Sequence, residues 1–208
     1  GFIVMKFIDL HVHSSLSVGM DSPEKMLNQA KVLGTDIGLC DGLKGNYHSG
    51  IDIDAKGKKE LKSKLKKKLD YTLVQGGDYN INRLAVLDKR VDILAHPDFR
   101  RKDSGVDSII ARAASENKVA IEINLGRIIN SRGLNRIHLI KNLRKNFMLA
   151  TKYNAPLVAT TESKSLYELR GGDGIFHLLR LLGFNEKAAI DAMYNVPKKI
   201  LQGDLKLR

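Results

Sequence analysis

With 208 residues, 43% of them hydrophobic and 28% charged, the chain suits a single globular domain and excludes a disordered or fibrous class. Its 35 Lys and Arg against 23 Asp and Glu leave a formal charge of +12, which favours a polyanionic partner. Cys40 is the only cysteine, so no intrachain disulfide forms, and no apolar run is long enough to span a bilayer; a cytoplasmic protein without a membrane partner is expected.

In chain order, Gly1–Met5 lacks a basic stretch and a cleavage signature, so no signal peptide is expected there. A first strand is expected over Lys6–His13. Side chains alternate along a strand, which predicts Asp9, His11 and His13 on one face and Ile8, Leu10 and Val12 on the other. Such a trio suits ligation of zinc, manganese or iron, and equally a hydrogen-bonded network inside a barrel. Ser22 and Pro23 open a helix whose apolar stripe is Leu27, Ala30 and Leu33, and Gly34 stops it. Asp36–Cys40 reads as the second strand. A lysine-rich helical insertion follows at about 55–70, with eight lysines and Leu61, Leu65 and Leu69 as a narrow seam.

The third strand is expected over Tyr71–Gly76, a short helix over Asn82–Asp88 and the fourth strand over Val91–Ala95. A helix over Val106–Asn117 leads into a buried strand, Val119–Asn124. A long helix over Leu134–Tyr153 precedes the strand Pro156–Thr160, and helices over Gly174–Leu182 and Asn185–Tyr194 end the pattern. Six strands alternating with helices define an α/β protein. Polar residues at the carboxyl ends of many strands, among them Asp41, Asp78, His96, Glu122, Asn124 and Glu162, favour a TIM-barrel-like β/α barrel over an open sheet, as one domain over residues 1–208. No GxGxxG or P-loop is present.

Asp9-Leu-His11-Val-His13 resembles the first motif of the polymerase and histidinol phosphatase (PHP) family, and His96-Pro97 and Glu122-Ile-Asn124 are similar to two later ones. The resemblance implies a distorted barrel that binds two or three metals and hydrolyses phosphate esters. The chain departs from it: Asp41-Gly42 stands for Asp-His, Gly76-Gly77-Asp78 for the third strand's Gly-x-Glu, and Thr160-Thr161-Glu162-Ser163 for Ser-Asp-x-His. Two histidines are missing and one carboxylate is shorter. The relic set Asp9, His11, His13, Asp78 and His96 is expected to hold at most one ion, residual zinc or manganese, where a two-metal centre needs bridging carboxylates.

The second half resembles the archaeal and eukaryotic ribonuclease P protein component 3 family. The pieces are Arg101-Lys102-Asp103-x-Gly105-x-Asp107, Asn124-Leu125 with Arg136, Lys152-Tyr153, Thr160-Thr161-x-Ser163 with Arg170, and Ala188 through Val196-Pro197-x-x-Ile200. The likeness spans roughly residues 71 to 201. It implies a protein subunit, of archaeal type, that assists a catalytic RNA in removing the 5′ leader of precursor tRNA. The chain itself then needs no cofactor, the magnesium belonging to the RNA. The implied partners are ribonuclease P RNA, precursor tRNA, protein component 2 in a heterotetramer, and further protein subunits. A free-standing PHP-type phosphoesterase is the alternative.

A subunit of this kind would neutralise phosphates. The candidates are Lys44, Lys58, Lys62, Lys66, Arg100, Arg101, Lys102, Arg127, Arg132, Arg136, Lys164 and Arg170. One of Arg127, Arg132 and Arg136 is expected to pair with Glu122 or Glu162, since an unpaired buried carboxylate is costly. Gly171-Gly172-Asp173-Gly174 reads as a turn whose N–H groups could meet phosphate, and His48, His138 and His177 as surface or core-edge residues. Sparse aromatics argue for recognition of phosphate and RNA shape rather than base stacking.

Overall fold

The computed structural model describes residues 5–206; all but Met5 of the segment read above for a leader lies outside them. Seven parallel strands run in chain order as one sheet: β1 (Phe7–Val12), β2 (Thr35–Leu39), β3 (His48–Ile53), β4 (Tyr71–Gln75), β5 (Ile93–Ala95), β6 (Ala120–Asn124) and β7 (Leu157–Thr160). Helices α1 (Pro23–Val32), α2 (Lys58–Lys64), α3 (Tyr79–Leu87), α4 (Ser108–Asn117), α5 (Leu125–Asn130), α6 (Gly133–Tyr153), α7 (Gly172–Leu181), α8 (Glu186–Ile190) and α9 (Val196–Gln202) complete the described elements, with a π-helical turn over Asp191–Asn195 and a 3-10 turn over Asp204–Lys206. The sheet curls into a nearly closed barrel. Val12 bridges Ser163, the His13 N–H donates to the Ser163 carbonyl at 2.9 Å, and the carboxyl-terminal helices pack over β1 and β7 together.

Local chemistry explains most boundaries. The Ser22 hydroxyl accepts from the Lys25 N–H with Pro23 in the first turn, so α1 starts where the cap dictates, and Met26 and Ala30, four apart, are its buried pair. Asp107 caps α4 by accepting from the Ile109 and Ile110 N–H groups, and Ile110, Ala111 and Ala114 pack beneath it. Residues of β4 to β7 alternate between the helix layer and the barrel interior: Val74, Leu94, Ile121 and Ala159 join the outer core, while Leu73, Ile93, Ala120 and Val158 join the inner one.

The expected six strands miss β3. His48–Ile53 follows β2 after a loop without a helix, and its Gly50 has a specific use. The buried Tyr71 ring fills the barrel: a Cβ on Gly50 would lie 2.4 Å from a ring carbon and one on Gly38 2.3 Å from the phenol oxygen. The lysine-rich helix is shorter than the expected 55–70: α2 ends at Lys64, with Leu61 and Leu65 buried and Leu69 half-buried.

Candidate functional site

β1 does not keep the simple alternation. Asp9 pairs with Ile37 but Val12 with Leu39, so β1 carries one extra residue between them, and this bulge separates Asp9 from the two histidines. Asp9 reaches instead across the β1–β7 seam, accepting from the Thr161 hydroxyl at 2.5 Å and the Thr161 N–H at 3.2 Å. It also accepts from the His11 N–H at 3.1 Å. Leu10 stays in the inner core, and His11 and His13 turn into the mouth beside β3 and β6.

The mouth is a buried polar cluster. His11 Nδ1 meets Glu122 Oε1 at 2.5 Å, and Thr160 Oγ1 donates to the same oxygen at 2.7 Å. The His96 N–H donates to Glu122 Oε2 at 2.8 Å. On the other side of the ring, His11 Nε2 lies 3.5 Å and His13 Nε2 3.7 Å from Asp52 Oδ2, which accepts from Gln75 Nε2 at 2.6 Å. His96 Nε2 faces Glu162 Oε2 at 3.4 Å across the opening. Both residues have left-handed backbones, φ 45° and 54°, a conformation that costs a non-glycine residue about 1–3 kcal/mol and gathers at functional sites.

The charges are set by burial and by one another. Burial opposes a charge on His11, but the carboxylates of Glu122 and Asp52 outweigh it and hold its pKa well above the ordinary value. Burial raises Glu122 and Asp52 in turn, yet His11, with His96 at Glu122, keeps both carboxyls below the usual range. Burial and the charge on His11 push His13 down to about 4. Burial raises Asp9 to about 6, against the pull of Thr161. Among the described residues two donor groups have metal-ligand spacing, His11–His13–Asp52 and His11–His96–Glu122; they share His11, so they do not fill independently.

Of the five residues read as the relic ligand set, His11, His13 and His96 come together. Asp9 closes the seam. Asp78 is exposed and caps α3, accepting from the Asn80 and Ile81 N–H groups at 2.9 and 3.0 Å. The reason is a misnumbered strand: Tyr71–Gln75 is the fourth, and the third carries Asp52 inward to the place where Asp78 was expected. The period-two Gly50-Ile51-Asp52-Ile53 was the one signal for it in the sequence.

The basic candidates divide by what they touch. Lys58, Lys62 and Lys66 are exposed without an ion pair among the described residues, as are Lys102, Arg132 and Arg136; Arg136 donates to the Ile129 carbonyl at 3.3 Å. Arg100 lies over the Phe99 ring, 5.0 Å from its centroid. Lys44 pairs with Asp70, Lys164 with Glu162 at 2.9 Å, and Arg101 with Asp103 at 2.6 Å and with the Gly77 carbonyl at 3.0 Å. Arg170 donates to the Tyr167 and Leu169 carbonyls. No arginine reaches Glu122 or Glu162 among the described residues: Arg127 pairs with buried Asp98, because His11 and Lys164 already answer those two carboxylates. The glycine segment read as a turn is instead the start of α7, with Gly171 at its N-cap, and it is covered, since a Cβ on Gly172 would lie 1.8 Å from the Met5 carbonyl oxygen and the Met5 N–H donates to Asp173. His48, His138 and His177 are exposed.

A family model described as RNase P subunit p30 matches residues 45–207. Ribonuclease P protein component 3 of Methanosarcina mazei is 41% identical over 142 residues, 68% of this chain and 59% of that protein, less than two thirds of its length. The component 3 protein of Methanococcoides burtonii is 35% identical over 212 aligned positions, 94% of this chain and 87% of that one. Among solved structures, a chain in the cryo-EM structure of archaeal ribonuclease P with mature tRNA superposes with a TM-score of 0.78 at 28% identity, covering 95% of this chain and 90% of that chain. Histidinol phosphate phosphatase from Lactococcus lactis, with zinc, L-histidinol and phosphate, superposes with a TM-score of 0.56 at 13% identity over 86% and 94%, a likeness of fold.

Proposed function

The chain belongs to the RNase P subunit p30 family, and from that premise we propose that it is a protein subunit of an archaeal ribonuclease P, assisting the catalytic RNA in removing the 5′ leader of precursor tRNA. The observation that carries this reading is the likeness, over 95% of the chain, to a component of an archaeal ribonuclease P bound to tRNA. The +12 charge and the unpaired cations of α2 and of the loops after β5 and α5 fit a protein that neutralises RNA phosphates by releasing counterions. Its partners are the ribonuclease P RNA, precursor tRNA and other subunits; we assign the direct protein contact to component 2 in a two-plus-two heterotetramer. The magnesium of the reaction sits on the RNA, and the complex works in the cytoplasm. No helix among the described residues is long and apolar enough to cross a membrane.

Reconstitution tests this. Precursor tRNA cleavage by the RNA is measured with and without the chain and its partner subunits, and is expected to rise when the chain is added. The phosphoesterase reading makes the opposite prediction, namely hydrolysis of a generic phosphodiester by the chain alone with manganese or zinc, abolished by His13→Ala. The two donor groups share His11, whereas two-metal hydrolysis needs two ions held about 3.5–4 Å apart, each with its own ligands.

A further inference from the structure

We propose that the barrel mouth takes one unpaired nucleotide of an RNA, its base against Phe99 and Val18 and its flanking phosphates on Arg100 and Lys102. The class of partner rests on the ribonuclease P reading; the site is argued from the mouth itself. A cavity of about 360 Å³ opens there, and Phe99 and Val18, 42% and 63% exposed, both line it. They are the apolar part of one concave site rather than scattered surface residues. Phe99 is also held firmly. Its N–H donates to the His96 carbonyl at 2.9 Å, the Arg101 N–H donates to the Asp98 carbonyl at 3.2 Å, and Arg101 Nη1 reaches back to the Gly77 carbonyl at 3.0 Å. This approach needs a glycine at 77, where φ is 106° and a Cβ would lie 2.6 Å from the Phe99 carbonyl oxygen. Of the five described non-glycine residues with positive φ, Lys118 and Asn154 close helices, whereas His96, Arg100 and Glu162 stand around the mouth. Strain that ends no helix gathers here, as it does at working surfaces.

The lining suits a nucleotide better than a bare anion. Inside the cavity Lys164 is already paired with Glu162 and Arg127 with Asp98, so the inner wall carries little free positive charge to hold a phosphate. The free cations are at the rim. Arg100 and Lys102 are exposed and carry no ion pair among the described residues. An unpaired base is recognised by stacking on an aromatic ring or a guanidinium plane and by hydrogen bonds to its edge. The Arg100 guanidinium lies over Phe99, 5.0 Å from the ring centroid, so one side chain offers a stacking plane together with a charge for phosphate. Gln75, Glu162 and Lys164 in the wall supply acceptors and donors for the edge of the base. Ligand pockets run from about 300 to 1,000 Å³, and a cavity near the lower limit suits one base rather than a run of them. Bases in a duplex are covered on both faces by their neighbours and do not enter. A chain poor in aromatic residues can therefore still read one base, because a single stacked position needs a single ring.

The test is anisotropy titration of the full chain with a fluorescein-labelled single strand of about six ribonucleotides, beside the same strand with abasic sugars in place of its bases. Stacking of one base is worth about five- to 150-fold in affinity, so the parent should prefer the base-bearing strand by at least about fivefold. Phe99→Ala should remove most of that preference yet leave the abasic affinity and the salt slope alone, because it deletes no phosphate contact. Equal affinity of the parent for the two strands, within about twofold, overturns the proposal whatever the variant does, and so does an equal loss on both strands in Phe99→Ala. The nucleotide has two possible sources, the catalytic RNA and the 5′ leader of the precursor. In the reconstituted holoenzyme, a Phe99→Ala defect that disappears with an abasic leader assigns the leader, and a defect that persists with every leader assigns the catalytic RNA. No defect with any leader overturns the proposal. A parent chain that discriminates the two strands but does not raise precursor cleavage would remove the ribonuclease P reading and leave the site standing.

Discussion

The lysines of α2 and of the turn that follows it offer the sharpest test of RNA binding. Lys58, Lys62 and Lys66 are exposed and carry no ion pair among the described residues, whereas Lys64 is tied to Glu60 at 2.7 Å and Lys44 to Asp70. Changing the three to glutamine keeps helix propensity and leaves the buried Leu61–Leu65 seam alone, so stability should move by less than about 0.5 kcal/mol per site. If each ammonium neutralises one phosphate, the slope of log affinity against log salt becomes shallower by about 0.7–0.9 per lysine, or about 2.1–2.7 for three. Between about 50 and 200 mM salt, the affinity gap between parent and triple variant should then shrink by about 20- to 40-fold. The assay is filter binding of ribonuclease P RNA across a salt series. Lys44→Gln is the control, expected to change the slope less because its charge is already answered by Asp70. A triple variant with the parent's slope would refute the reasoning and leave α2 as a solvated surface.

Three further outcomes follow from the packing. Arg127→Met strips the partner from Asp98, which is 2% exposed and, among the described residues, otherwise keeps only the side chain of Asn142 at 3.5 Å; a loss of about 3 kcal/mol is expected, and Arg127→Met with Asp98→Asn should recover much of it in a denaturant melt. Equal loss in single and double variants would show that the ion pair is not the cause. Gly50→Ala drives a methyl into the Tyr71 ring and should cost about 1–3 kcal/mol, seen as a lower Tm and partly relieved by Tyr71→Leu; an unchanged Tm would contradict the filled barrel. The Arg101 guanidinium holds the Asp103 carboxyl down at about 2 against an ordinary 3.8, so the pair's small stabilisation, under about 1 kcal/mol at this exposed site, is complete above the ordinary value and lost as pH falls through about 2. NMR titration should find the Asp103 midpoint moving upward in Arg101→Met, though not fully, because the Gly105 N–H still donates to it; an unmoved midpoint would remove Arg101 as the cause.

Local rules carried the sequence a long way. The Ser22–Pro23 start of α1, the alternating strand–helix order and the buried run Ala120–Asn124 are properties of neighbouring residues, and the structure keeps them. The same holds for the basic surplus and for the motif order that marked the family. β3 escaped because His48-Ser49-Gly50-Ile51-Asp52-Ile53 is polar and glycine-bearing; only the Tyr71 ring from β4, and pairing between β2 and β4, make it a strand.

The site was divided in the same way. That His11 and His13 matter was written in their spacing, but their company was not. One bulged residue in β1 sends Asp9 to the seam, and one unrecognised strand exchanges Asp78 for Asp52. Which carboxylate answers which cation depends on distances between β1, β3, β5 and β6 that no local pattern encodes, so Arg127 goes to Asp98 and His11 to Glu122. Sequence fixes what a residue can do within a turn or two of itself. The pairing of charges across a barrel is decided when the strands close, because burial makes each buried charge seek whichever partner lies within a few ångströms.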